Sequence, residues 1–194
     1  MRKVILRMNI SLDGFVAPTS GAHDWVFRSF DDELEKYTVD QFWEVGTHIM
    51  GRVTYHEMAE HWPSSTAKLA PPMNEIPKVI FSKTLKETNW NNSQVVDGDI
   101  AEEIYRLKQQ PGKDIMAHGG WRFAQSLSRL GLIDEYRLIV NPIAFGSGVP
   151  LFKDLPDSIN LNLLSTKVFK KGAVLQTYQP VRSTETSQEN AQGR

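Results

Sequence analysis

The chain has 194 residues, of which 40% are hydrophobic and 23% charged, with a formal net charge of −1 and no cysteine. That length and balance suit one globular domain with its own core. The missing basic block argues against a nucleic-acid partner, whose phosphates need clustered Lys and Arg, and the missing thiols exclude disulfides, iron–sulfur clusters and cysteine nucleophiles.

Met1-Arg2-Lys3 leads into a short apolar run broken by Arg7 and Asn9, which does not read as a signal peptide. No apolar run approaches the ~20 residues that span a bilayer. The expectation is a cytoplasmic protein that makes no membrane contact. Lys3 to Leu12 reads as a buried strand that stops at the turn Asp13-Gly14. Asp31 to Val45 has apolar residues at helical spacing, and Asp31, Asp32, Glu33 and Glu35 crowd its first turn, where the helix dipole favours negative charge. Thr47 to Met50 predicts a short strand and Arg52 to His61 a short helix. Pro63 to Pro77, rich in proline, predicts a loop. Lys78 to Phe81 and Gln94 to Val96 predict strands, and Asp99 to Gln110 a helix ended by Pro111-Gly112.

Asp114 to Ala117 predicts a strand, and Gly119-Gly120 opens a helix with apolar Phe123, Leu127 and Leu130, capped by Gly131. Beyond it Tyr136 to Val140 is strand-like, Gly146-Ser147-Gly148 is a tight loop, and Asn160 to Tyr178 has room for two strands. Ser183 to Arg194 has almost no apolar residue, so residues 1–181 are expected to form one domain and 182–194 a disordered tail. Alternating strands and helices followed by strands alone predict a mostly parallel sheet with an antiparallel edge.

Two junctions carry chemical promise. Met50-Gly51-Arg52-Val53-Thr54 takes a strand end straight into a helix, whose free N–H groups and partial positive charge suit phosphate. Gly51 permits close approach and Arg52 offers a bidentate contact. Ala117-His118-Gly119-Gly120-Trp121-Arg122-Phe123 repeats the arrangement without the G-x-G-x-x-G fingerprint. Either could be an ordinary strand–helix turn. Together they fall where open α/β sheets bind ligands, beyond the carboxyl ends of strands.

His56-Glu57-Met58-Ala59-Glu60-His61 only imitates a zinc motif. Its histidines are five apart and point about 140° from one another on a helix, so no metal is expected. His118 is a candidate substrate contact, with a satisfied core histidine as the alternative.

The order Ser11-Leu12-Asp13-Gly14-Phe15-Val16-Ala17, Met50-Gly51-Arg52-x-Thr54, Phe81-Ser82-Lys83-Thr84-Leu85 and His118-Gly119-Gly120 resembles the dihydrofolate reductase superfamily. Leu132-Ile133-Asp134-Glu135, then Pro142, Gly146-Ser147-Gly148 and Leu151-Phe152, is more similar to one branch. That branch is the C-terminal reductase domain of bacterial riboflavin-biosynthesis deaminase-reductases and its stand-alone relatives. The match covers about residues 2–180.

The resemblance implies an α/β, dihydrofolate-reductase-like single domain with a mostly parallel central sheet, an antiparallel C-terminal edge and flanking helices. It implies NADPH as cofactor, with the pyrophosphate between Gly51, Arg52, Val53 and Thr54 on one side and Gly119, Gly120, Trp121, Arg122 and Phe123 on the other. Arg52, Ser82 and Lys83 are expected at the 2′-phosphate, whose extra charge favours NADPH over NADH. Val16 and Ala17, in a loop closing over the nicotinamide, are expected beside its ring.

Dihydrofolate reductases place a carboxylate on the first helix for proton transfer. Asp31 and Asp32 are the candidates here, although acids at a helix start are commonly solvated. Asp13 is a candidate substrate contact. Trp121 stands where dihydrofolate reductases have a third glycine, which argues against folate. The reading is reduction of a small heterocyclic substrate, similar to 5-amino-6-(5-phosphoribosylamino)uracil reduction in riboflavin biosynthesis. The alternatives are dihydrofolate reduction and a non-catalytic NADPH-binding protein. Relatives of this kind commonly form homodimers, and a homodimer is expected.

Overall fold

The structure, a computed structural model, describes residues 1–181. The tail expected at 182–194 lies outside them. The elements run β1 (Val4–Ser11), β2 (Phe15–Pro18), α1 (Asp32–Trp43), β3 (Val45–Gly51), α2 (Arg52–His61), α3 (Ala70–Glu75), β4 (Lys78–Phe81), β5 (Ser93–Val96), α4 (Ile100–Gln109), β6 (Asp114–His118), α5 (Trp121–Arg129), β7 (Glu135–Asn141), β8 (Gly148–Pro150), β9 (Leu161–Val168) and β10 (Val174–Pro180). Short 3-10 turns occupy Asp24–Phe27 and Trp62–Ser64.

One sheet has the order β5-β4-β3-β6-β1-β7-β10-β9, and a small second sheet joins β2 to β8. The strands from β5 to β7 in that order run parallel. β10 lies antiparallel on β7, and β9 antiparallel on β10. The α/β class with a parallel centre and an antiparallel C-terminal edge is therefore as the sequence implies. Parallel strands need crossovers, and the crossover helices cover both faces, so the inner strands are buried on each side. In β4 every residue is buried.

One face of the sheet packs Leu6, Ile49, Val79, Ile115 and Ala117 against Ile104 and Leu107 of α4 and Phe123, Ala124 and Leu127 of α5. The other packs Ile5, Met50, Ile80 and Met116 against Phe42 of α1, Tyr55 of α2 and Met73 of α3. Local sequence starts these helices. Asp31 caps α1 by accepting from the Leu34 N–H at 2.8 Å, and Asp99 caps α4 by accepting from Ala101 and Glu102.

The Pro63–Pro77 segment is a correction, because it contains the 3-10 turn and α3. Pro71 and Pro72 sit in the first turn of α3, where a missing N–H costs nothing. The Lys78 ammonium closes the far end by donating to Met73 O, Asn74 O and Ile76 O, each at 2.9 Å. Val45 opens β3 instead of ending α1. Leu130 is 52% exposed because it is the C-cap, one residue beyond the end of α5, whereas Gly131 takes the expected left-handed conformation at φ 62°.

The loop expected at Asp13 to Ala17 is also corrected. Phe15–Pro18 is β2, paired with β8 through Phe15↔Pro150, Ala17↔Val149 and Pro18↔Gly148. Among the described residues no helix is long and apolar enough to cross a membrane.

Candidate functional site

The parallel strands all end on one side, at Ser11, Gly51, Phe81, Val96, His118 and Asn141. Open α/β sheets bind ligands on that side. A cavity of about 270 Å³ lies there, lined by Gly51, Arg52, Val53, Thr54, Phe81, Ser82, Lys83, Val96, Asp97, Gly98, Ile100, Gly120, Arg122, Phe123 and Ser126. Nine of the residues expected to hold a cofactor meet in it: Gly51, Arg52, Val53, Thr54, Ser82, Lys83, Gly120, Arg122 and Phe123.

The two junctions are joined directly. The Gly120 backbone N–H donates to Thr54 Oγ1 at 2.5 Å, and Thr54 is buried in the first turn of α2. A Cβ at residue 120 would stand 2.9 Å from that oxygen, and one at 51 would touch Phe123 Cβ at 3.4 Å. A side chain at 120 would therefore push the Thr54 hydroxyl aside, independently of any ligand. Phe81 and Phe123, with ring centroids 4.9 Å apart, make an apolar wall.

Charge at the cleft is mostly positive. Arg52 and Lys83 are exposed, and Arg122 lies over the Trp121 ring at 4.7 Å. Among the described residues none of the three has an ion-pair partner. Ser82 Oγ accepts from the Thr84 and Leu85 N–H groups at 3.2 and 2.9 Å, which fixes the turn that presents Lys83. Helix starts, glycines that a Cβ would crowd and unpaired cations form a donor set for an extended anion such as a dinucleotide pyrophosphate. Asp97 adds one exposed carboxylate.

Asp97, Gly98 and Ser126 were missed by sequence reasoning. The turn Asp97-Gly98 follows a parallel strand, as the two glycine junctions do, and that rule alone would have found it.

Other expected residues lie elsewhere. Gly119 and Trp121 flank the cleft without lining it. Val16 and Ala17 are buried and do not line the cleft, Val16 as part of the hydrophobic core and Ala17 paired with Val149 of β8. Asp13 is not a free substrate ligand. Its carboxylate accepts from Ser11 Oγ and from the Phe145 and Gly146 N–H groups, and the Ser11 hydroxyl leads in holding it below the usual carboxylate range.

Asp31 is corrected from catalytic acid to helix cap. It accepts from Leu34 and Lys171 N–H groups, the Leu34 bond foremost in lowering its pKa, which is the opposite of a proton donor. Asp32 is exposed on the first turn of α1 and does not line the cleft.

His118 is buried, and its Nε2 lies 2.7 Å from His48 Nδ1. His48 Nε2 is 3.3 Å from Pro72 O, which can only accept. The neutral tautomers follow: His48 donates to the carbonyl and His118 donates to His48. Burial pushes both below the ordinary histidine value, His48 to about 3. His118 is thus a core histidine. Its register partner Arg7 donates to Thr38 Oγ1 at 2.8 Å and is lowered to about 10 by burial and then by Arg137.

A model of the RibD C-terminal domain matches residues 2–175. YyaP of Bacillus subtilis, an uncharacterized protein, is 31% identical over 182 residues, covering 91% of this chain and 94% of its own. Three solved structures share the fold. A candidate riboflavin biosynthesis protein from Shewanella sp. PV-4 is 24% identical with a TM-score of 0.78, over 93% of this chain and 99% of that one. A Thermotoga maritima diaminohydroxyphosphoribosylaminopyrimidine deaminase/5-amino-6-(5-phosphoribosylamino)uracil reductase gives 15% and 0.69 over 93% of this chain and 57% of that one. Dihydrofolate reductase from Enterococcus faecalis, complexed with NADP(H), gives 12% and 0.60 over 93% of this chain and 97% of that one.

Proposed function

On the premise that the chain belongs to the RibD C-terminal domain family, we propose that it is an NADPH-dependent reductase of a small heterocyclic substrate. The observation that carries the reading is the cleft where the starts of α2 and α5 meet, rimmed by Arg52, Lys83 and Arg122. Two helix N-termini and three cations suit a pyrophosphate and a further phosphate better than any neutral ligand.

The nicotinamide, when bound, supplies a hydride; the protein supplies binding and alignment. The free N–H groups at the start of α2 and α5 would hold the pyrophosphate. Arg52 and Lys83 would hold the 2′-phosphate, and Phe81 and Phe123 would exclude water beside it. The names of the Thermotoga and Enterococcus proteins support a reductase with this cofactor, and the former supports a phosphoribosylaminopyrimidine as the substrate type.

Titration with NADPH and NADH, followed by tryptophan fluorescence, tests the reading. Saturable binding with NADPH at least about tenfold tighter is expected from one extra charged contact. Saturable binding of neither nucleotide overturns it.

We also propose a homodimer. β9 is an edge strand with Leu163, Leu164 and Val168 exposed at 56%, 51% and 68%. An apolar edge of this kind is normally covered, and a second copy is the occupant proposed here.

A further inference from the structure

A cleft that suits a polyanion carries a carboxylate, Asp97, on its lining. Among the described residues Asp97 has no hydrogen bond or ion pair, although Arg52, Lys83 and Arg122 line the same cleft. An ionised carboxylate can only accept hydrogen bonds, and it repels phosphates. Its place is therefore opposite a part of the ligand that donates.

The surrounding elements say which part. Lys83 and Asp97 follow Phe81 and Val96, the paired last residues of β4 and β5, and the Ser82 N–H donates to Val96 O at 3.0 Å. Both residues thus belong to one end of the cleft. The starts of α2 and α5 have no side-chain cap. That of α4 does, because Asp99 already accepts from the Ala101 and Glu102 N–H groups. The β5–α4 end is therefore the poorer place for a phosphate. What it offers is apolar surface from Phe81, Val96 and Ile100, all packed into the core, with Gly98 adding no side chain. An apolar floor with one acceptor at its rim suits a flat heterocycle that bears an amino group.

We propose that Asp97 determines which purine the cleft accepts, its carboxylate taking a hydrogen bond from the adenine 6-amino group while the ring lies on Phe81, Val96 and Ile100. The assignment rests on the NADPH reading, which sets the 2′-phosphate beside Lys83 and so brings the adenosine half to this end. A base with an oxo group in place of the amino group sets two acceptors face to face and is turned away. The cleft thus selects adenine over hypoxanthine or guanine. The 3′-hydroxyl, the other donor near this end, is common to all three nucleotides and gives no such selection.

The test compares NADPH with reduced nicotinamide hypoxanthine dinucleotide phosphate, in which an oxo group replaces the amino group. Both are titrated against the protein by tryptophan fluorescence. The unaltered chain should bind NADPH at least about fivefold tighter than the hypoxanthine dinucleotide. Asp97→Asn offers an acceptor and a donor, and Asp97→Ala offers neither, so each variant should bind the two dinucleotides within about twofold of one another. Equal binding by the unaltered chain, or a preference that survives either substitution, overturns the proposal. A protein that takes NADPH without this preference loses this inference alone. One that takes neither dinucleotide loses the NADPH reading, and this inference with it.

Discussion

Gly120 and Thr54 are bound to one another: the glycine N–H donates to the threonine hydroxyl at 2.5 Å. The two helix starts that face the cleft therefore move as one piece. Thr54→Ala leaves a part-buried N–H unpaired, a loss of about 1–3 kcal/mol. Thr54→Ser keeps the hydroxyl and should lose less than half of that. The expected outcome is a lower urea midpoint and weaker NADPH binding for alanine, with serine close to the unaltered protein. Equal behaviour of the two variants would show that the hydroxyl does not link the junctions.

Arg52 and Asp97 line the same cleft with opposite charge, so their removal should act in opposite directions. Arg52→Ala is expected to weaken NADPH about tenfold and NADH far less. Asp97→Asn removes a repulsive charge and should tighten NADPH by about two- to fivefold, most visibly at low salt. Titration of both nucleotides against each variant measures this. An equal effect of Arg52→Ala on both would move that side chain to the pyrophosphate or give it a structural role.

The His48–His118 pair makes stability depend on pH. Both histidines are held neutral by burial in the folded chain, His48 at about 3, against the ordinary 6.5. The unfolded chain takes up protons first as pH falls, so the contribution is complete above about pH 6.5 and is lost progressively below it. Each histidine adds a slope of up to about 1.4 kcal/mol per pH unit. Urea unfolding at pH 7, 6 and 5 should show falling midpoints, and His118→Gln should shallow the fall. A flat profile for the unaltered protein would contradict the buried, neutral pair.

At the sheet edge, Leu164→Lys on β9 puts a charge into the proposed contact between copies. Sedimentation velocity should show a dimer that becomes a monomer in the variant, with the thermal midpoint shifted little if the edge is otherwise exposed. A monomer at every concentration for the unaltered chain removes the homodimer.

Whether a feature could be read beforehand depended on the reach of the interaction behind it. The start of α2 at Arg52 and the turn into α5 at Gly120 rest on neighbours in sequence, and both are where periodicity and glycine placed them. Asp31 is recognisable as an acid at a helix start, but which of its partners it serves depends on Lys171, brought close only by the β9–β10 turn. The His48–His118 bond, the Asp13 contacts with Phe145 and Gly146, and the β2–β8 ribbon join distant segments and leave no local pattern. α3 was hidden for another reason. Its prolines normally signal a break, and they are tolerated here only because they fall in the first turn.

β1 lies between β6 and β7, with Val4 opposite Ile115 and Ile5 opposite Glu135. During synthesis one edge of it stays open until β6 follows α4 out of the ribosome, and the other until β7 follows α5. Closing such long loops is slow, and an exposed apolar strand meanwhile invites wrong partners. The centre of the sheet is thus sealed only once Asn141 has been made, with the β9–β10 edge alone still to be added.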